Sequence, residues 1–447
     1  GRLNTDAIDN SAGVDSSDHE VNIKILAAEA IRLGDLKEAD RNALLASMTE
    51  DVAAHVLQHN YNQSNALTLA SATALEDHDA LERLMVYLEE RGVLNRPLEG
   101  LPSTAQMQIR KQQGQPLTRP ELAVLLAWSK IVLFDDLVAS GLPDDPWFEP
   151  VLKAYFPSPI DSFGRAMKGH RLRREIIATV VANRTLDFGG PVALLRLREL
   201  TGAQPAEAVR ALEAARAVLD LSVFRRDVFA LDAKVPADLQ SELQLQAVHA
   251  AGEAAAWFIR ATAGKPVGEA VKLTHAPLAE LRGALKEVQT SFPASRIERD
   301  ARTFLKRGAP EGLAHWAASM SYFAQGLVIV DVARRKKKAV LETAACFYQI
   351  GDALRLDRLR ASAREGLSGA AYWDRVAGRR LIAELVRLQA AATAEAIGSG
   401  GAGDWLDARS DARRQLLGTL TALGRDRAWS FAKFALAADA VRQFMDR

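Results

Sequence analysis

Beyond residues 1–26 the chain is written almost entirely in helix-forming residues, and this constrains the fold more than any single motif. Ala, Leu, Arg and Glu dominate, and the alternating β-branched runs that make strands are nearly absent. The expected class is therefore all-α, with multi-helix bundle domains.

Punctuation divides the chain. A helix is expected from a cap at Asp18, with Val21, Ile25 and Ala28 along one side and Ile23, Leu26 and Ala30 widening the apolar face. Two more are expected over 36–59 and 63–90, broken at Asn60-Tyr61-Asn62 and closed by Gly92. Pro97, Gly100, Pro102, Gly114 and Pro116 mark a linker, within which Ser103 and Gln106 fit a capping box. Thr118-Arg119-Pro120-Glu121 is the clearest helix start, joining a Thr cap, an early Pro and a Glu at the third position.

From Pro143 to Asp161, aromatic residues among prolines imply an ordered, packed connection. Helices are expected at 162–186, 191–201, 205–221, 238–263, 277–290, 294–306, 310–325, 327–349, 351–365, 370–397 and 404–445. Gly418 and Gly424 argue for two helices in the last segment. A further break is expected at residues 264–268, and no fixed-period repeat is evident.

At 447 residues the chain has room for two to three cores at roughly 150 residues each. Lys and Arg total 57 against 56 for Asp and Glu, so no whole-chain field favours nucleic acid or an anionic membrane. A single cysteine, Cys346, excludes an intrachain disulfide and suits a reducing cytoplasm. No uninterrupted apolar run nears the ~20 residues of a membrane helix. A cytoplasmic protein without nucleic-acid or membrane partners is expected.

The opening segment has a different character. It lacks an initiator Met and any targeting pattern, and reads as the tail of an active-site domain. A tight loop is expected from Asp9 to Ser17; on pattern alone it reads as a capped turn, the alternative being a place where Ala12 and Gly13 let a ligand approach the backbone ahead of a helix N-terminus. The order Asn10, Gly13, Val14, Ser17, Glu20 resembles the Asn-Ala-Gly-Gly-Val loop of glutamate dehydrogenases, with Ser three residues on. With Asn4-Thr5-Asp6 before it and Asp18-His19-Glu20-Val21-Asn22-Ile23-Lys24 after, the segment is similar to the very large bacterial NAD-specific enzymes. Leu117–Ala127, Tyr155-Phe156-Pro157 and His170–Thr179 resemble the helical C-terminal region of the same family.

That resemblance implies specific roles. Ser17 would contact a substrate carboxylate, with Val14 against the substrate; Asn10 would lie beside the nicotinamide of NAD, with Gly13 admitting the cofactor. Ser11 and Ala12 depart from the Ala and Gly of small relatives. The family's catalytic Lys and Asp and its dinucleotide loop belong upstream, so no catalytic residue and no turnover are expected here. The expected organisation is the end of an α/β catalytic domain as a loop–helix remnant (1–35), a helical connector (36–115), a helical domain (116–264) and a C-terminal bundle (265–447). Glutamate and 2-oxoglutarate would be the parent enzyme's substrates, and the parent would be a homo-oligomer. On composition alone, a non-enzymatic helical scaffold or partner-binding module stays open.

Other motifs read blandly. Gly398-Ser-Gly400-Gly-Ala-Gly403 spells G-x-G-x-x-G, but an Ala-rich helix precedes it where nucleotide binding needs a strand, so a helix–helix loop is expected. His55 and His59 share a helix face, with Glu50 and Asp51 near in sequence. They read as a solvated or packed pair, and no metal is assigned. Arg171, Arg173 and Arg174 are expected to pair with Asp135-Asp136 or Glu199, the alternative for Arg171 and Arg174 being an anion or subunit contact. Arg334-Arg335-Lys336-Lys337-Lys338 is expected to be a solvated face of a helix running from Val328 to Phe347, and Cys346 a core residue.

Overall fold

The structure, a computed structural model, describes residues 3–367, 369–425 and 429–446. It is 79% helical, with no strand among the described residues, as the patterning requires. The chain divides into two compact units: Gly1–Leu212 with Gly264–Gly268, and Glu213–Ala263 with Glu269–Arg447.

The first unit is built from α1 (Asp6–Asp9), α2 (Ser11–Leu33), α3 (Arg41–Ser47), α4 (Thr49–Thr73), α5 (His78–Glu90), α6 (Thr104–Gln112), α7 (Arg119–Val138), α8 (Glu149–Tyr155), α9 (Gly164–Lys168), α10 (Arg173–Gly189) and α11 (Ala193–Thr201). α2, α4, α7 and α10 make its centre: α2 packs on α4, α4 on α7, and α10 on both α4 and α7. α12 (Pro205–Val218) runs from the first unit into the second.

The second unit holds α13 (Leu221–Phe229), α14 (Ala237–Ala261), all but the first two residues of α15 (Val267–Gly283), α16 (Leu285–Val288), α17 (Ser291–Leu305), α18 (Glu311–Lys336), α19 (Val340–Ala353), α20 (Leu356–Gly366), α21 (Tyr372–Gly398), α22 (Ala402–Asp407), α23 (Ser410–Leu423) and α24 (Phe431–Met445). α18 is its axis, packed against α14, α17, α19 and α21. By length and composition α18 could also cross a membrane, yet 78% of its apolar stretch is buried in the protein. A core helix of a bundle meets that criterion because it is apolar on every side.

Both capping boxes fall where the sequence places them. At the start of α6 the Ser103 hydroxyl accepts from the Gln106 N–H while the Gln106 side chain accepts from the Ser103 N–H (3.3 and 2.8 Å). At the start of α7 the Glu121 carboxylate accepts from both the N–H and the hydroxyl of Thr118 (2.7 and 2.8 Å). α5 closes before Gly92, whose φ of +72° is a conformation glycine adopts without strain. The Pro143–Asp161 connection is ordered, with Phe148, Tyr155 and Phe156 buried.

Longer-range expectations needed correction. Asn60-Tyr61-Asn62 does not break a helix but lies inside α4, because the Asn60 amide donates to the Ile8 carbonyl (2.9 Å) and the Asn62 side-chain oxygen accepts from Gln58 (3.1 Å). Neither amide then competes for its own backbone. α15 begins at Val267 and takes Pro277 into its interior. The basic run does not continue a helix to Phe347. Lys337, at φ +54°, closes α18, and Val340 opens α19. Among its described residues the last segment contains three helices, not two.

Candidate functional site

The opening loop is helical instead. α2 starts at Ser11, with Asn10 at its N-cap and no cap at Asp18. Gly13, Val14, Asp15, Ser16 and Ser17 have weak helix propensity, but tertiary packing overrides it. Ile8 is buried, and the His59 side chain reaches from α4 to bond the Asp15 carboxylate (Nδ1 to Oδ2, 2.8 Å). These contacts hold α1 and α2 against α4.

Asn10, at the N-cap, and Gly13, Val14 and Ser17 consequently fall in an i, i+3, i+4, i+7 pattern along one face at the start of α2. All four are exposed, Val14 at 75%. Val21, seven residues beyond Val14, is half-exposed on the same side. The buried stripe instead runs through His19, Asn22, Ile23, Leu26, Ala27 and Ala30. The helix thus presents a small, mixed polar and apolar face outward and packs with the other. Such a face suits contact from a ligand or another part of a protein. Among the described residues no strand leads into a helix through a glycine turn, so a pyrophosphate cradle is not part of this face.

The inward face carries a group that the sequence reading did not assemble. Asp15 and His19, four apart on α2, meet His55 and His59, four apart on α4. The His19 ring is fully buried, stacked on Tyr155 at 4.4 Å between centroids, and 5.5 and 5.7 Å from the rings of His55 and His59. Its Nε2 is 3.8 Å from Asp15 Oδ1. Neither ring nitrogen of His19 has a hydrogen-bond partner. Around it, the Tyr155 hydroxyl donates to Asp18 (2.9 Å) and accepts from the Asn22 amide (2.8 Å), and His170 Nε2 lies 3.1 Å from the Asn22 carbonyl oxygen.

Burial holds the His19 pKa down to about 4, against the pull of Asp15, so the imidazole is neutral at pH 7. For Asp15, burial acts upward but is outweighed by the His59 hydrogen bond and the neighbouring histidines, and its carboxyl titrates below the ordinary range. The carboxylate in contact with His19 and His59 is Asp15; Asp51 accepts from the Ser158 hydroxyl (3.1 Å) and acts on His55 as a nearby negative charge. The two four-residue spacings were visible in the sequence; their meeting required the α2–α4 pairing.

The remaining motifs resolve as structural features. Arg173 and Arg174 both pair with Asp144, not with Asp135, Asp136 or Glu199. Arg174 also donates to the carbonyls of Val138 and Ser140 (both 2.9 Å), closing the end of α7, and Arg171 is exposed. Asp136 is taken by Arg91, and Glu199 by Arg83. Arg334 and Arg335 pair with Asp331, and Lys338 with Glu342, on an exposed surface. Gly398–Gly403 joins α21 to α22 without a strand. Cys346 is buried in the second unit's core, where burial pushes its thiol up to about 11. Arg119, from the Thr118–Glu121 motif, donates to Thr68 and to the Ser64 carbonyl (3.0 and 2.8 Å), tying α7 to α4.

Comparison with known proteins bears on both units. The family described as "Glutamate dehydrogenase, C-terminal" matches residues 114–443, and "Bacterial NAD-glutamate dehydrogenase, catalytic domain" matches residues 1–70. The NAD-specific glutamate dehydrogenase of Halomonas elongata is 35% identical over 464 aligned residues, covering 100% of this chain and 28% of that protein. Those of Pseudomonas aeruginosa and Mycobacterium tuberculosis are 38% and 35% identical, each covering 80% of this chain and 22% of the relative. The chain thus spans about a quarter of the length of the curated relatives it matches.

Proposed function

The chain belongs to the NAD-specific glutamate dehydrogenase family, and from that premise we propose that it is the C-terminal part of an enzyme that oxidatively deaminates L-glutamate to 2-oxoglutarate and ammonia. NAD is the hydride acceptor, held mainly by residues upstream of this chain. Here the segment braces the catalytic domain, mediates subunit contacts or carries regulation, and has no turnover by itself. The protein acts in the cytoplasm as a homo-oligomer. The observation that carries the reading is the coincidence of the catalytic-domain match over residues 1–70 with four outward-facing residues on α2.

On this reading Ser17 holds a substrate carboxylate and Val14 lies against the substrate's aliphatic part. Asn10 and Gly13 face the nicotinamide. Each acts through position and hydrogen bonding, not through proton transfer. Their exposure fits that use, since a buried side chain on this helix would be out of a ligand's reach.

Two assays test it. Purified residues 1–447 are expected to form no NADH from glutamate and NAD, and measurable turnover would overturn the assignment of the chemistry to upstream residues. In the complete enzyme, Ser17→Ala is expected to lower kcat/KM for glutamate by roughly 10- to 100-fold, the worth of one hydrogen bond to a charged group. An unchanged value would remove Ser17 from the substrate site.

A further inference from the structure

We infer that Asp15, His19 and His59 form a binding site for one borderline divalent transition-metal ion, Zn²⁺ being the prime candidate, which clamps α2 to α4. The three side chains offer one ligand atom each, all within 4.8 Å of one another. Two imidazoles and a carboxylate are the donor set that zinc and its neighbours favour. Tetrahedral zinc with bonds of about 2.0–2.1 Å sets its ligand atoms roughly 3.3 Å apart. His19 Nε2 and Asp15 Oδ1, at 3.8 Å, are too far apart for a hydrogen bond and close to the separation a shared ion imposes.

The independent observation is His19 itself. It is 0% exposed, and neither of its nitrogens has a hydrogen-bond partner. Leaving a buried polar group unsatisfied is unfavourable, and such a group calls for an explanation. Stacking on Tyr155 fixes the ring's plane, while the surrounding hydrogen bonds of Asn22, Asp18 and Tyr155 are made among themselves. A metal ion on the Asp15 side gives His19 Nε2, the nitrogen that faces Asp15, a partner.

The other ligands suit this. Asp15 and His59 keep 23% and 41% of their side-chain surface exposed, so an ion can enter from that side and retain a water in its fourth position. Binding replaces the proton now shared between His59 Nδ1 and Asp15 with the metal. A neutral His59 then carries its proton on Nε2; a charged one releases a proton to solvent. The His55 ring lies beside the group, 5.5 Å from that of His19.

The ion would set the rotation of α2, and with it the direction of the opposite face bearing Asn10, Gly13, Val14 and Ser17. Metal binding does not depend on the dehydrogenase reading and is measured without activity.

The test is a titration of metal-stripped, purified residues 1–447 with Co²⁺, read by ligand-field absorption, and with Zn²⁺, read by calorimetry and thermal melting. One ion per chain is expected, with a rise in the first melting transition of about 5 °C or more at a hundredfold excess over Kd. Asp15→Asn and His59→Ala are each expected to weaken binding at least about tenfold. His275→Ala, in the second unit, should bind as the parent does. His59 is partly exposed and Asn matches Asp in shape, so at least one ligand variant should retain the parent's circular dichroism. The inference is overturned if no ion binds, if a folded Asp15 or His59 variant binds as tightly as the parent, or if His275→Ala loses binding equally.

Discussion

The two units each bury a polar cluster, and the clusters are built on opposite terms. In the second unit, Arg360 is 1% exposed and donates to Asp357 Oδ1 (2.6 Å) and Gln389 Oε1 (2.7 Å). Gln389 in turn donates to the Phe347 carbonyl (2.8 Å), and its own carbonyl accepts from Thr393 (2.7 Å). Positive charge, negative charge and amide answer one another, leaving Asp357 Oδ2 as the atom without a partner. In the first unit, His19 is equally buried, yet both its nitrogens stand unanswered. A closed network fixes the packing of α19, α20 and α21. An open one marks a place where something else binds.

That contrast can be broken most severely at Arg360. Arg360→Met leaves Asp357 as an uncompensated buried charge and is expected to destabilise by about 3–5 kcal/mol, lowering the second unit's melting temperature by about 10 °C. Combining it with Asp357→Leu should recover most of the loss, since a buried ion pair is often replaceable by apolar groups as a whole. A single-variant loss below about 1 kcal/mol would mean the network is solvated and the contrast false.

Gly351 sharpens the same point by packing. A Cβ there would meet the Gln389 amide nitrogen and lie 2.7 Å from Asp357 Oδ2. Gly351→Ala is expected to cost about 1–3 kcal/mol in chemical denaturation, as overpacking does, despite the better helix propensity of Ala. A stabilised variant would show that the network yields.

Glu121 gives an intermediate case, a largely buried carboxylate at a helix start. Burial acts upward on its pKa, but Arg110, the Thr118 N–H and the Thr118 hydroxyl together hold it below the ordinary 4.5. Its stabilisation is therefore full above that value and is lost as the pH falls through the lower folded value. Glu121→Gln should cost about 1 kcal/mol at pH 7, with melting curves of parent and variant converging as the solution is acidified. Divergence on acidification would reverse the sign assigned to this group.

A comparably small effect is expected in the open cluster. His19→Leu keeps the volume and removes two unsatisfied nitrogens, so the metal-free chain should change by less than about 1.5 kcal/mol. A loss as large as that of Arg360→Met, measured by the same melts, would show that His19 already has a partner and that the two clusters are alike.

Legibility in the sequence followed the distance over which each interaction acts. Ser103 with Gln106, and Thr118 with Glu121, lie three residues apart, and both boxes formed as read. Gly92 closed its helix, and Gly398–Gly403 proved a connection between helices. Asn60 and Asn62 were misread because their amides find partners that propensity does not register. Arg174 has several acidic residues upstream of it, and pattern alone does not choose among Asp135, Asp136 and Asp144; it folds onto Asp144, 30 residues away. Of the candidate site, the outward residues of α2 were named from resemblance. The loop expected to hold them is the first two turns of a helix, stabilised by α4.

By itself, then, the sequence determined the helical class, most of the caps and the family resemblance, because these rest on composition, on neighbours within a turn and on ordered strings of residues. Only the tertiary structure decided where α2 begins, which face of it is buried, and that His59, 44 residues from Asp15, bonds its carboxylate beside a sealed His19. Those outcomes depend on two helices meeting. The free energy of that meeting comes from the whole buried face, and no local pattern records it.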